Sequence, residues 1–365
     1  MEIQIGNKII SNTGKPYFIA DIAANHDGSL ERAFKLIELA KEAGADAAKF
    51  QNFHASSIVS RSGFDSMEKM THQASWKKSV YDVYDDATLP LEWTEKLKKK
   101  CDEVDIEYMT SPYDKKSVDQ VEAYVNAYKI GSGDIQWTDM LSYIAQKKKP
   151  VILATGASSI QDVQRAYQTI QQYENRIVLM QCNTNYTAKV ENYKYINLNV
   201  LKKYRELYPD CILGLSDHTY GYVTILGAYA LGARVFEKHF TDDNDRIGPD
   251  HKFSMTPSTW REMVDQTTIL AEAMGDGIKK IEENERESCI VQRRGLYVTK
   301  ALSKGDIISR ENIFPLRPLK ENGIPPYEIA SVIGERTHST VVKVIGKKMI
   351  FYRKAKKNPK IKLPQ

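Results

Sequence analysis

Between residues 17 and about 275, short apolar runs rich in small and β-branched residues alternate with helix-like segments, a rhythm that leaves few architectures open. Eight runs can be counted: Phe18 to Ile22, Ala47 to Gln51, Ile106 to Thr110, Ala127 to Gly131, Val151 to Ala154, Ile177 to Gln181, Ile212 to Ser216 and Arg234 to His239. After the first of them, Ala33, Leu36, Ile37, Ala40 and Ala43 recur at three- and four-residue steps, the period of one buried helical face. Eight βα units in succession predict an α/β fold, a (β/α)8 TIM barrel over residues 1–276.

In such a barrel the active site forms at the C-terminal ends of the strands, so the residues there can be read as a list. It is polar: Asp21 with Asn25 and His26, Lys49 and Gln51, Thr110 and Ser111, Lys129 with Ser132 and Asp134, Thr155, Asn183 to Tyr186, His218 and His239. His218 and His239 lie 21 residues apart, about one helix plus one strand, so neighbouring strands would present both imidazoles at one rim. Two imidazoles there invite a divalent metal and leave positions open for substrate and water. A lone lysine at a strand end is more often a snorkelling surface residue. Lys49 and Lys129, however, point to the same rim beside hydroxyls and turn N–H groups, a combination suited to a phosphate or carboxylate ligand. The run Gly131-Ser-Gly133-Asp-Ile-Gln136 starts like a dinucleotide fingerprint but lacks its last glycine and its acidic partner, and reads as a turn.

The net charge of +5 overstates the basic character of the chain, because Arg353 to Gln365 holds six lysines and arginines and no acid. The body is nearly neutral, and nothing in it suggests a nucleic-acid groove. The tail reads as a solvated end. No apolar run approaches the roughly 18 residues a membrane helix needs. The N-terminus lacks a basic head followed by an apolar segment, and the four cysteines show no CxxC spacing. A cytoplasmic location is expected by default.

Asn52 to Pro90 is long for a βα connection and carries Phe64, Trp76, Tyr81 and Tyr84, which suit an ordered cover over the site or a surface for a neighbouring subunit. After residue 276 the pattern changes to a charged connector, 277–289, and then to short elements from Gly295 onward. Residues 290–352 read as a separate small β-rich domain, whose core would be marginal unless it packs on something.

Several blocks, in order, resemble the sialic acid synthase family: Phe18 to Gly28, Gly44 to Gln51, Tyr128 to Asp134, Ala154 to Gly156, Gly214 to His218, Glu237 to Thr241 and Gly248 to His251. Arg294 to Tyr297, Leu316 to Pro318 and Ile333 to Glu335 resemble that family's antifreeze-like (SAF) domain. The resemblance implies a metal-dependent condensation of phosphoenolpyruvate with an open-chain hexose, usually an acylated mannosamine relative, to a nine-carbon 3-deoxy-2-keto acid. It also implies a domain-swapped homodimer in which Arg317 reaches the partner's barrel. By the same resemblance, His218 and His239 would hold Mn2+, with Mg2+ or Co2+ as substitutes. Lys49, Lys129, Thr110, Ser132 and Thr184 would hold the phosphate and carboxylate. Asp134 and Asp21 would move protons, and Tyr186, Gln51, Asp250 and Arg317 would bind the sugar.

The chain departs from the family pattern at Asp21, where glutamate is usual, at Asp134, where some members have glutamate, in Gln181 to Thr187, and in the turn Pro318 to Gly323. Two other readings compete. A related synthase acting on a pentose or tetrose phosphate would need a second basic cluster at the rim. A noncatalytic carbohydrate-binding barrel would not need its metal histidines and rim lysines, all of which are present. His251 is expected to order the Pro249-Asp250 loop, while His54, His72 and His338 carry no assignable role.

Overall fold

The computed structural model describes residues 1–338 apart from 69, 71, 72, 75 and 188. The chain divides after Asp276 into two units. In the first, β3 (Tyr17–Asp21), β4 (Ala47–Asn52), β5 (Glu107–Pro112), β6 (Tyr128–Ile130), β7 (Val151–Ala154), β8 (Ile177–Cys182), β9 (Ile212–Asp217) and β10 (Ala233–His239) form a closed parallel barrel in chain order. β10 pairs back on β3. All eight strands overlap the runs predicted from sequence, with boundaries shifted by a residue or two.

The strands alternate strictly between two environments. Phe18, Ala48, Phe50, Tyr108, Leu153, Leu179, Leu213 and Phe236 join the large core between the barrel wall and the helices. Tyr17, Ile19, Ala47, Met109, Ile152, Val178, Ile212 and Val235 fill the barrel interior. Neighbours on a strand therefore serve opposite faces, as the two-residue period requires.

The helices start where local chemistry lets them. Ser29 Oγ accepts from Arg32 N at the head of Leu30–Glu42, which buries Ala33, Leu36, Ile37 and Ala40. Ser159 and Asp162 cap Ile160–Gln171 reciprocally, and Pro257 opens Pro257–Ala273 behind a Thr256 cap.

An N-terminal hairpin, β1 (Glu2–Ile5) and β2 (Lys8–Ser11), was not read from the sequence. Its Ile3, Ile5 and Ile10 are 0–1% exposed and belong to the same cluster as the interior strand residues, so the hairpin plugs the barrel floor.

In the second unit, β11 (Gly295–Val298) pairs antiparallel with β12 (Ile313–Leu316) over a small core of Leu296, Val298, Leu302, Ile308, Ile313, Ile324 and Val332. The residues of the expected domain beyond 338, and the basic tail, lie outside the described residues.

Candidate active site

The inward positions change character towards the C-terminal ends of the strands. Above the apolar floor, β3 contributes Asp21, β4 Lys49 and Gln51, β6 Lys129, β9 Ser216, and β10 Glu237 and His239; His218 follows β9 directly. The register sets Asp21 beside Lys49 on one side and His239 on the other. Lys49 Nζ lies 2.7 Å from Asp21 Oδ2, and Lys129 Nζ donates to Glu237 Oε1 at 2.7 Å. Ser216 Oγ adds a bond of 3.1 Å to the same Glu237 oxygen, and Gln51 Nε2 donates to Asp21 Oδ2 at 3.2 Å.

All four charges are buried. Burial alone would raise the Glu237 carboxyl, but Lys129 and Lys49 outweigh it and hold the group down at about 2. Burial would likewise lower the Lys49 ammonium, yet Asp21 and Glu237 leave it raised and therefore charged. Glu237 Oε2 is buried without a hydrogen-bond partner among the described residues, an ionised acceptor in the barrel interior.

The two histidines converge, with ring centroids 5.4 Å apart. His218 Nδ1 stands 2.9 Å from the Asn183 carbonyl, so that nitrogen carries the proton and Nε2 presents its lone pair. His239 Nδ1 is buried with no hydrogen-bond partner among the described residues, while Nε2 lies 3.7 Å from Asp21 Oδ2 and Nδ1 3.8 Å from Asp250 Oδ2. Burial lowers both imidazoles to about 4, which keeps them neutral near pH 7, the form that ligates metals.

Two imidazoles sharing one ion at roughly 2.1 Å would stand with ring centres roughly 5 Å apart, so the pair fits a divalent cation. Among the described residues no group of three or more His, Cys, Asp or Glu is arranged to hold a metal. An ion here would take two protein ligands and complete its shell from substrate and water.

Around the histidines the walls are aromatic. The Tyr186 ring lies 4.3 Å from His218 and that of Phe253 4.9 Å from His239. Asp250 Oδ2 accepts from Ala24 N, which ties its loop to the end of β3. His251 is fully buried between Thr241 and Asp27, at 2.7 and 2.9 Å, and so orders the same loop. The long β4–β5 connection carries Val80–Asp86, whose Tyr84 packs 5.7 Å from Phe53; Phe53 in turn meets Tyr113 at 5.8 Å.

Asp134 sits in a short 3-10 turn after β6, and burial raises its carboxyl to about 6. Beside it, Ser132 Oγ accepts from Gly156 N at 2.8 Å. A Cβ on Gly156 would fall 2.5 Å from Thr184 Cγ2, 2.9 Å from Ser132 Oγ and 3.1 Å from Cys182 Sγ. Only glycine lets the ends of β6, β7 and β8 close this tightly, and the closure brings Ser132 and Thr184 together.

One expected residue stands elsewhere. Thr110 pairs across the wall with Phe50 and so faces the helices; its hydroxyl donates to Phe50 O and Asn52 Oδ1, at 3.1 and 2.6 Å. The inward residue at that level is Ser111, one step on. Arg317 belongs to the second unit, where it is exposed just after β12.

Conversely, Glu237 and Ser216 were not picked out from sequence. Glu237 lies two residues before His239 on β10, and Ser216 two residues before His218, which follows β9 by one step, so the alternation that turns the histidines inward turns them inward too.

A closed (β/α)8 barrel whose mouth gathers paired lysines and carboxylates around two neutral histidines has the build of a barrel enzyme. Residues 36–279 match the NeuB family and residues 293–343 match the SAF domain, so the chain belongs to the NeuB family. It is 33% identical over 326 residues to the N,N'-diacetyllegionaminic acid synthase of Legionella pneumophila, covering 88% of this chain and 90% of that one. It is 32% identical over 343 residues to the pseudaminic acid synthase of Campylobacter jejuni, covering 93% and 96%. The solved N-acetylneuraminic acid synthetase of Leptospira borgpetersenii aligns with a TM-score of 0.69 at 25% identity, covering 79% of this chain and 95% of that one. The chain is accordingly an enzyme.

Proposed function

We propose that this enzyme condenses phosphoenolpyruvate with the open-chain form of a hexose, N-acetylmannosamine or a related acylated amino sugar, to give a sialic-acid-like 3-deoxy-2-keto nonulosonic acid. Water enters and phosphate leaves. The single observation that carries this reading is the convergence of His218 and His239, with ring centroids 5.4 Å apart, over the ion-paired lysines of the barrel mouth. The names of the two relatives given above, synthases of N,N'-diacetyllegionaminic acid and of pseudaminic acid, support it.

His218 and His239 would hold Mn2+, or Mg2+ or Co2+ in its place, and the ion when bound supplies Lewis acidity at the aldehyde oxygen. Asp21 and Glu237 keep the Lys49 ammonium charged, and Lys49 and Lys129 face the phosphate and carboxylate of phosphoenolpyruvate. Ser132, Thr184, Ser216 and Ser111 offer hydroxyls to the same groups. Fixing the enol carbon over the aldehyde supplies much of the acceleration, since it replaces a two-body encounter by a held geometry.

Asp134, with its carboxyl at about 6, is suited to take a proton from the water that adds at the enol's second carbon. Asp21 holds Lys49 in place and is the second candidate for proton transfer. Tyr186, Gln51 and Asp250 line the sugar side, and Arg317 reaches it from the partner of a domain-swapped homodimer. The enzyme acts in the cytoplasm.

The test is phosphate release from phosphoenolpyruvate with Mn2+ over a panel of N-acetylmannosamine, a 2,4-diacetamido-trideoxy hexose and mannose. Release that needs one acceptor, the metal and His218 supports the reading. Release by the His218→Ala variant at the parent rate refutes the histidines' role, and silence with every acceptor refutes the substrate class.

A further inference from the structure

On the helix side of the barrel wall, directly behind the two histidines, Lys238 and Asp217 form an ion pair with side chains only 2% and 1% exposed. Asp217 lies between the inward Ser216 and His218, and Lys238 between the inward Glu237 and His239. The two are register partners across β9 and β10. Asp217 also accepts from the Thr219 and Thr224 hydroxyls, both at 2.8 Å, and from Thr219 N at 3.2 Å. Lys238 Nζ donates to the Thr219 carbonyl at 2.7 Å. The backbone on both sides of His218 is thereby tied to the residue next to His239.

A buried ion pair is an expensive way to gain stability, because desolvating two charges consumes most of their attraction and apolar side chains of similar size do as well or better. What such a pair does supply is registry. The β9–β10 ladder needs it, since its register shifts between Ala233 and Val235 at the lower end of the strand. A one-residue slip would turn every inward side chain of β10 outward, His239 included.

We infer that Asp217 and Lys238 are a positioning pair: their bond behind the wall locks the last rung between β9 and β10 and so fixes the separation of His218 and His239. This rests on the reading of those histidines as the metal-holding pair. Neither residue faces the barrel interior, so neither is a catalytic residue in this account.

The experiment compares the parent, Asp217→Asn, and the double variant Asp217→Leu with Lys238→Met. Mn2+ binding in the presence of phosphoenolpyruvate is followed by electron paramagnetic resonance, and the fold by circular dichroism and thermal melting. The double variant is expected to melt at or above the parent temperature while its Mn2+ affinity falls roughly 10–100-fold, the range seen when groups that orient metal ligands are lost. Asp217→Asn keeps one acceptor oxygen and so part of the threonine contacts, and its loss is expected to be smaller; it decides the matter by the same titration should the double variant fail to fold. Folded variants that bind Mn2+ as tightly as the parent would overturn the proposal. His218→Ala is the control: if it removes Mn2+ binding while the pair variants do not, only the positioning role falls. If His218→Ala leaves binding unchanged, the metal assignment itself falls and takes the pair's role with it.

Discussion

The lower and upper halves of the barrel interior are built by the same eight strands, yet they hold opposite chemistry. Below, Ile19, Met109, Ile152, Val178, Ile212 and Val235 pack with the hairpin residues Ile3, Ile5 and Ile10 into a dry plug. Above, Asp21, Lys49, Lys129 and Glu237 place four buried ionisable groups beneath two neutral histidines. The lower half gains from every apolar atom it removes from water. The upper half spends free energy on desolvated charge and stays intact because each lysine has its carboxylate. Stability is thus made at one end of the barrel and consumed at the other, where the chemistry is.

That division can be broken most forcefully at Lys129. Lys129→Ala leaves Glu237 buried without its counter-charge and is expected to cost about 3–5 kcal/mol by urea denaturation, together with all phosphate release. The sharper form replaces both partners: Lys129→Met with Glu237→Leu should be at least as stable as the parent and still inactive.

Next in size is Asp134→Asn, with an expected rate loss of roughly 100–10,000-fold. In the parent, burial raises the Asp134 carboxyl to about 6, so the base form is lost as pH falls through that value and kcat/KM should decline there. The residual activity of the variant should show no such decline between pH 5 and 7, a window of about one unit either side of the Asp134 value.

Ile212→Ala is the mirror experiment in the floor. It should destabilise by about 2–5 kcal/mol and leave the rate per folded molecule unchanged. The smallest effect belongs to Thr110→Val on the helix side of the wall: about 1–3 kcal/mol from the Asn52 oxygen left unpaired, with no change in phosphate release. A fall in phosphate release for Ile212→Ala beyond its unfolded fraction would show that the two halves are not separable.

The barrel was legible in the sequence because the strands are short apolar runs at regular spacing, and all eight were found within a residue or two. The rim was legible as a list of residues but not as a surface. Thr110 and Ser111 are adjacent in the chain, and only the register with Phe50 shows that the threonine faces the helices. Glu237 was quoted among the family-like residues without a role, although its two-residue spacing from His239 places it on the same face. The hairpin that closes the floor is invisible to a search for βα units, since its four-residue strands pair only with each other before their isoleucines meet the barrel. The Asp217–Lys238 pair is beyond any reading of one sequence, because two charged residues 21 apart become partners only through the β9–β10 register.

The central claim is that the barrel mouth is a metal-assisted active site organised by two histidines. Its most direct test is the anomalous diffraction of crystals grown with Mn2+ and phosphoenolpyruvate. The account predicts one strong peak within about 2.3 Å of a ring nitrogen of both His218 and His239, absent in His218→Ala crystals. A fully active enzyme whose Mn2+ peak lies away from both histidines would contradict it.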